Sequence, residues 1–489
     1  MKNICLTYVY TAIMAIFLTT ALGCSKKDGG GGTTPVTPVT PVTPVTPVKT
    51  DVTMWLTKGD QTALLQKQNI GLLFNTTTNS NPTITVDTTQ TYQTIDGFGF
   101  MFTGGTATLI NSLPSATQDA LLKELFLTDT THIGISYLRI SIGASDLSAT
   151  TFTYDENGGS PDLNLANFSI DIEKTDLIPM LKKILALNPN IKILACPWTA
   201  PTWMKTTATF RGGSLNTAYY DVYARYFVKY IQAMKAQGIN IDAVTPQNEP
   251  LNANNTPAMV MQPAEEANFI KNNLGPQFAA AGITTKIICY DHNTDRTDYA
   301  TTVLSDPAAN AYVDGSAFHL YAGTIDGLTT VHNAFPAKNV YFTEQYTSST
   351  SNFNADLSWH ITNLIIGAPR NWSRNVLEWN MATDAFFGPH TTGGCSVCQG
   401  ALTIAGQSIT RNVSYYIIAH ASKFVRPGSV RIASNTSSTL PNVAFKNTDG
   451  KKVLIVFNPN STDQTFNIQF NGKMVTTTLA TASVATYIW

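Results

Sequence analysis

The chain has 489 residues, of which 43% are hydrophobic, 10% aromatic and 13% charged, and 31 basic against 32 acidic side chains give a net charge of −1. The aromatic content excludes a disordered chain, and the balanced charge excludes the basic field that nucleic acid or an anionic membrane surface demands. The charged fraction is about half the usual ~25%, with Thr, Asn and Ser in its place, which fits an exported protein acting on a neutral substrate.

Residues 1–23 read as an export signal outside the fold. Lys2 precedes the apolar run Ala12-Ile-Met-Ala-Ile-Phe-Leu18, which is short for a bilayer span and leads into Ala21-Leu22-Gly23-Cys24. This segment resembles a bacterial lipoprotein signal. The resemblance implies a lipid on Cys24 and anchoring to the outer membrane, at the cell surface or the periplasmic face; plain secretion is the alternative. Residues 24–51 form a linker, Gly29–Gly32 followed by a Pro-Val-Thr repeat from Pro35 to Val48. Proline at every third residue, without glycine, favours an extended stalk at ~3.1 Å per residue. Cys196, Cys289, Cys395 and Cys398 are too few for a disulfide-built scaffold.

Residues 52–92 hold the strand-like alternation Thr83-Ile-Thr-Val-Asp87. From residue 93 the rhythm changes. Short runs rich in Ile, Val and Leu predict strands at 94–100, 135–141, 191–195, 243–245, 286–289, 315–319, 340–343 and 375–379. Stretches at 116–126, 176–187, 218–237, 264–273, 355–366 and 413–422 predict helices between them. Eight buried-type strands alternating with helices over residues 93–425 predict an α/β fold, a (β/α)8 TIM barrel. An open doubly wound sheet is the alternative, and no GxGxxG follows the first strand. Over residues 426–489, runs at 430–433, 443–445, 452–457, 464–470 and 482–489 predict a small all-β side domain, to which the strands of residues 52–92 are expected to add.

Catalytic groups of such a barrel sit at the C-terminal ends of its strands. Those ends carry Asp146, Trp198, Asn248, Glu249, His319, Tyr321, Glu344, Trp379 and Asn380. Two carboxylates and several aromatics at one mouth suit a glycosidase, because sugar rings stack on Trp and Tyr while amides and acids hydrogen-bond hydroxyls. Glu249 stands in Thr245-Pro-Gln-Asn-Glu-Pro250, where the prolines stiffen the chain; Glu344 ends Tyr341-Phe-Thr-Glu344. In a retaining enzyme two such groups lie ~5–5.5 Å apart, the nucleophile ionised and the acid protonated until it donates. Other residues have plainer readings. Glu265 and Glu266 suit a helix N-terminus, Glu378 alternates away from Trp379, and Trp203, Cys196 and Cys289 read as packing.

Several motifs, in order, resemble glycoside hydrolase family 30, the family of glucosylceramidase and of bacterial and fungal β-1,6-glucanases. They are Gln93-Thr-Ile-Asp-Gly-Phe-Gly99, Tyr137-Leu-Arg-Ile-Ser-Ile-Gly-Ala-Ser-Asp146, Pro197-Trp-Thr-Ala-Pro-Thr-Trp-Met-Lys205, Pro246-Gln-Asn-Glu-Pro250, His319-Leu-Tyr321, Thr343-Glu344, Glu378-Trp-Asn380 and Ser422-Lys-Phe-Val-Arg-Pro-Gly428. The resemblance implies Glu249 as acid/base and Glu344 as nucleophile. It places Arg139, Asp146, Trp198, Asn248, His319, Tyr321 and Trp379 around the glucose unit at the cleaved bond, with Arg139 and Tyr321 on Glu344. It implies no metal and no organic cofactor.

Thr103-Gly-Gly105 departs from glucosylceramidases, which usually carry an acidic residue there, and looks closer to the β-1,6-glucanase branch. The expected substrate is therefore pustulan-type β-1,6-glucan, ahead of glucosylceramide-like β-glucosides and xylan. The rival of another class is a non-catalytic carbohydrate-binding lipoprotein. Cys395 and Cys398 are expected to form a local disulfide at the mouth, with free thiols as the alternative. The chain is expected to act as a monomer.

Overall fold

The computed structural model describes residues 48–489; the signal segment, Cys24 and the Pro-Val-Thr repeat up to Pro47 lie outside the described residues. Eight parallel strands close a barrel in chain order: Gly97–Met101, Tyr137–Ser141, Lys192–Cys196, Ala243–Val244, Lys286–Asn293, Val313–His319, Asn339–Glu344 and Ser373–Asn380. The eighth closes on the first with Asn375 opposite Gly97. Tyr137, Leu194, Ala243, Ile288, Ala317, Tyr341 and Leu377 fill the middle of the barrel. Their neighbours in sequence, such as Leu138, Ile193 and Phe342, face outward into the larger core beneath the helices. With both faces buried, these strands read as continuous apolar runs.

The helices follow from one-sided burial. In Tyr220–Ala236, Tyr223, Tyr226, Phe227, Tyr230, Ile231 and Met234 recur every three or four residues on the buried face. The chain then turns at Gly238, where φ is +81°. Among the described residues, no helix is long and apolar enough to cross a membrane.

The side domain is a nine-stranded sheet that uses both ends of the chain. Thr53–Lys58 pairs antiparallel with the C-terminal strand Ser483–Ile488. Thr83–Thr94, longer than its five-residue alternation suggested, pairs antiparallel with Val430–Ser434 and parallel with Gln464–Phe470. Lys473–Leu479 is a strand the sequence reading omitted; it carries Thr on both its buried and its exposed face, which hides the alternation.

Two contacts lock the sheet to the barrel. Along Lys452–Asn458, Val453, Ile455 and Phe457 join the barrel core while Leu454 and Val456 join the core of the sheet. His420, on the helix Val413–Ser422, is buried between the hydroxyls of Thr57, at 2.8 Å, and Thr486, at 2.9 Å.

Candidate active site

A cavity of about 570 Å³ opens at the C-terminal end of the barrel, lined among others by Asp146, Trp198, Glu249, Tyr321, Glu344 and Trp379. A second, of about 560 Å³, lies at the opposite end, where the carboxylates Asp96 and Asp242 are tied to Arg374 and Lys192. In the first, the carboxylates Asp146, Glu249 and Glu344 carry no salt bridge to lysine among the described residues and stand beside the indoles of Trp198 and Trp379.

Glu249 follows the fourth strand and Glu344 ends the seventh. One carboxylate oxygen from each, with a nitrogen of His319, lie within 4.8 Å of one another. The two oxygens of Glu344 are both engaged: Arg139 Nη1 donates to Oε2, and the Tyr321 hydroxyl donates to Oε1 at 2.9 Å. Glu249 is held from the other side, its Oε2 accepting from Asn252 Nδ2 at 2.7 Å and its Oε1 lying 3.3 Å from His319 Nδ1.

Below the glutamates lies a residue absent from the sequence-derived set. Asp291 is fully buried, with Oδ2 accepting from Arg139 Nη2 at 2.8 Å and from Thr245 at 2.7 Å. Its Oδ1 accepts from Thr343 at 2.6 Å and lies 3.1 Å from His319 Nε2. Burial opposes charge on Asp291, but Arg139 and His319 hold the carboxyl well below the usual range. The fifth strand was expected to stop at Cys289 and runs on to Asn293, so its polar end escaped the reading. The signal was present in Asp291-His-Asn293, directly after the apolar run.

Burial also works against a charge on Glu249. The His319 hydrogen bond and charge, with His292 and Asn252, outweigh it and bring that carboxyl down to about 2. On Glu344 burial prevails over His319 and Arg139, and the carboxyl is raised. Burial would lower His319, yet Glu344, Asp291 and Glu249 pull it up to about 9. Both ring nitrogens face carboxylates, Nδ1 toward Glu249 and Nε2 toward Asp291, a setting that favours the doubly protonated ring. The directions on Glu249 and Glu344 both run opposite to the expected resting order, in which Glu344 is ionised and Glu249 protonated. His319 Nδ1 lies 3.3 Å from Glu249 Oε1, within reach for a proton to pass between them.

Arg139 and His319 are fully buried and do not line the cavity, contrary to their expected place around the sugar. A buried guanidinium must be compensated, and the carboxylates and Asn248 Oδ1, at 2.6 Å, take up both ends of Arg139. Asn248 lies largely below the cavity as well, and its amide NH2 is the end left for a hydroxyl. Asn380 is likewise engaged, accepting from Thr103 and Thr106 at 2.8 Å each and donating to the Ala382 carbonyl.

The cavity wall is formed in part by Trp198, Trp379 and Asp146. Trp198 and Trp379 stand with ring centroids 5.5 Å apart, and Trp198 Nε1 has no partner among the described residues. Asp146 Oδ1 is also unpartnered, while Oδ2 accepts from the N–H of Cys395 at 3.3 Å. Burial and the charge of Glu344 raise the Asp146 carboxyl to about 7. Cys395 and Cys398 are joined in a disulfide on this wall. Glu378 faces away from the cavity and bonds His360 at 2.7 Å, and Trp203 packs inside with Nε1 on the Asp155 carbonyl.

Residues 95–425 match the model of the glycosyl hydrolase family 30 TIM-barrel domain, and residues 428–487 match that of the family 30 beta sandwich domain. The chain belongs to glycosyl hydrolase family 30. This family 30 chain is 38% identical over 404 residues to endo-1,6-beta-D-glucanase neg1 of Aspergillus fumigatus, covering 77% of its own length and 81% of the relative's. It is 29% identical over 453 residues to lysosomal acid glucosylceramidase of Mus musculus, covering 86% of each. Its structure is similar to that of the endo-beta1,6-glucanase BT3312, with a TM-score of 0.83 and 37% identity over 90% of this chain and 99% of that one. As a family 30 member it is a glycoside hydrolase, built on the barrel and side sheet that the motifs implied.

Proposed function

We propose that the enzyme hydrolyses β-1,6-glucan with retention of configuration, Glu344 acting as nucleophile and Glu249 as acid/base. The observation that carries the mechanism is the close approach of the two carboxylates, with oxygens within 4.8 Å. So close an approach fits the ~5–5.5 Å spacing of a retaining pair better than the ~6.5–9.5 Å of an inverting one.

In the first step an ionised Glu344 oxygen attacks the anomeric carbon. Arg139 and Tyr321 aim it and stabilise its charge against the burial that raises the carboxyl. The His319 Nδ1 proton passes to Glu249 Oε1 and on to the departing glycosidic oxygen, which leaves as an alcohol. In the second step Glu249 takes a proton from water, whose oxygen attacks the same carbon and frees Glu344, and Glu249 passes that proton back to His319 Nδ1. Trp198 and Trp379 stack the sugar, and the Asn248 amide and Asp146 carboxyl hold its hydroxyls.

The linkage rests on the relatives: 38% identity to a protein named endo-1,6-beta-D-glucanase against 29% to a glucosylceramidase. The expected test is product analysis of residues 50–489 on β-1,6-glucan, with Glu344→Gln as control. An oligosaccharide ladder that is missing from the control supports the reading. Turnover of an aryl β-glucoside without glucan cleavage keeps the mechanism and moves the substrate to the glucosylceramide-like class. Through Cys24 we further propose an outer-membrane lipid anchor that presents a monomeric catalytic domain at the cell surface or periplasmic face. Cys24→Ser is expected to release the protein in soluble form, and unchanged membrane association refutes the anchor.

A further inference from the structure

Glu266 lies outside the cavity, on the helix Pro263–Phe269 that follows the Glu249 loop, and is 1% exposed. Its neighbour Glu265 closes the helix end, accepting from the Gln262 N–H at 2.7 Å, as the sequence suggested for both glutamates. Glu266 instead turns inward. Its Oε1 accepts the main-chain N–H of Tyr290 at 3.0 Å, and Oε2 is buried without a partner among the described residues. Burial raises the carboxyl to about 7.

The donor in this contact is unusual. Tyr290 and Asp291 have φ of +77° and +68°, two successive bulky residues in the left-handed region, and the pairing with the sixth strand shifts between Tyr290 and His292. The fifth strand thus carries a bulge, a device that re-aims a side chain beside a site. Each such conformation costs about 1–3 kcal/mol and persists only where its surroundings hold it. From the outside Glu266 satisfies the N–H that the bulge turns away from the sheet. On the inside the bulge points the Asp291 carboxylate at Arg139 and His319. The Asp291 carbonyl also accepts the N–H of Glu249 at 3.0 Å, and Glu249 is itself left-handed, with φ of +44°.

Resting on the reading of Glu249 as acid/base, we propose that Glu266 is a positioning residue, which holds the Tyr290–Asp291 bulge and through it sets the place of Glu249. It touches no reacting atom. What it contributes to this contact is a buried hydrogen-bond acceptor, which the amide oxygen of glutamine also offers and methionine, of similar size, does not.

The experiment compares Glu266→Gln, Glu266→Met and Glu249→Ala on aryl β-glucosides with good and poor leaving groups. Loss of a buried acceptor predicts a kcat lower by roughly 10–100-fold for Glu266→Met on poor leaving groups, a smaller loss on activated ones and little change in KM. Glu266→Gln should stay within about threefold of the parent. A folded Glu266→Met enzyme with parental kcat, or a Glu266→Gln enzyme as slow as Glu266→Met, overturns the proposal. If Glu266→Met does not fold, Glu266→Gln decides alone: near-parental activity supports the role, and a loss beyond about tenfold refutes it. Glu249→Ala separates the two levels, because wild-type rates on poor leaving groups there refute the acid/base reading itself, whatever Glu266 does.

Discussion

Nδ1 of His319 lies 3.3 Å from Oε1 of Glu249, so one proton serves both groups. They titrate as a pair, and the working form is the one that keeps that proton. Because His319 is raised to about 9, kcat/KM is expected to hold up to weakly alkaline pH and to fall as pH passes that value. His319→Asn removes the proton store and leaves Glu249 to titrate as a carboxyl. Its alkaline limb should then move down by more than about one pH unit. Profiles of both enzymes on an aryl β-glucoside check this, and an unmoved limb refutes it.

Tyr321→Phe removes the donor at 2.9 Å from Glu344 Oε1 but leaves Arg139 in place. A hydrogen bond to a charged partner contributes about 1.5–3 kcal/mol, so kcat/KM should drop roughly 10–100-fold. The thermal midpoint should shift little, since the ring remains.

The disulfide wall bears on binding more than on chemistry. The Cys395 N–H fixes Asp146 Oδ2, and Asp146 Oδ1 stays available to a hydroxyl. Replacing Cys395 and Cys398 by Ser frees that loop and should raise KM several-fold, with kcat within about twofold of the parent. A kcat loss equal to the change in kcat/KM would point to a role in the transition state instead.

The barrel was legible because fully buried parallel strands have a plain signature, and Glu249 and Glu344 because they stand at strand ends between stiff or apolar neighbours. Asp291 was not, since the apolar run stops at Cys289 while the strand continues through a bulge that no periodicity reports. The inward turn of Glu266 was equally hidden: two adjacent glutamates at a helix start look alike, and only the fold decides which one meets Tyr290. Arg139 was correctly read as a partner of Glu344, but its depth followed from Asp291, a residue not yet counted.

His420 makes stability depend on acid. Burial lowers it to about 3 from an unfolded value near 6.5, so it stays neutral in the fold while the unfolded chain takes up a proton. Above pH 6.5 both states are neutral and stability is unaffected. Between pH 6.5 and about 3 the fold should lose on the order of 5 kcal/mol through this residue. Calorimetry across that range should show a falling midpoint, and His420→Gln should flatten the slope. An unchanged slope would exclude His420 as its source.

The strand Lys452–Asn458 gives alternate side chains to two cores. Each residue inserted or deleted there exchanges the occupants of both at once, so neither segment matched as a family domain is free to drift alone. A chimera that joins this barrel to a relative's sandwich must import both faces of that strand together with Thr53–Lys58 and Thr83–Thr94, which complete the sheet. Recombination at the sequence boundary near residue 427 cuts through one folding unit.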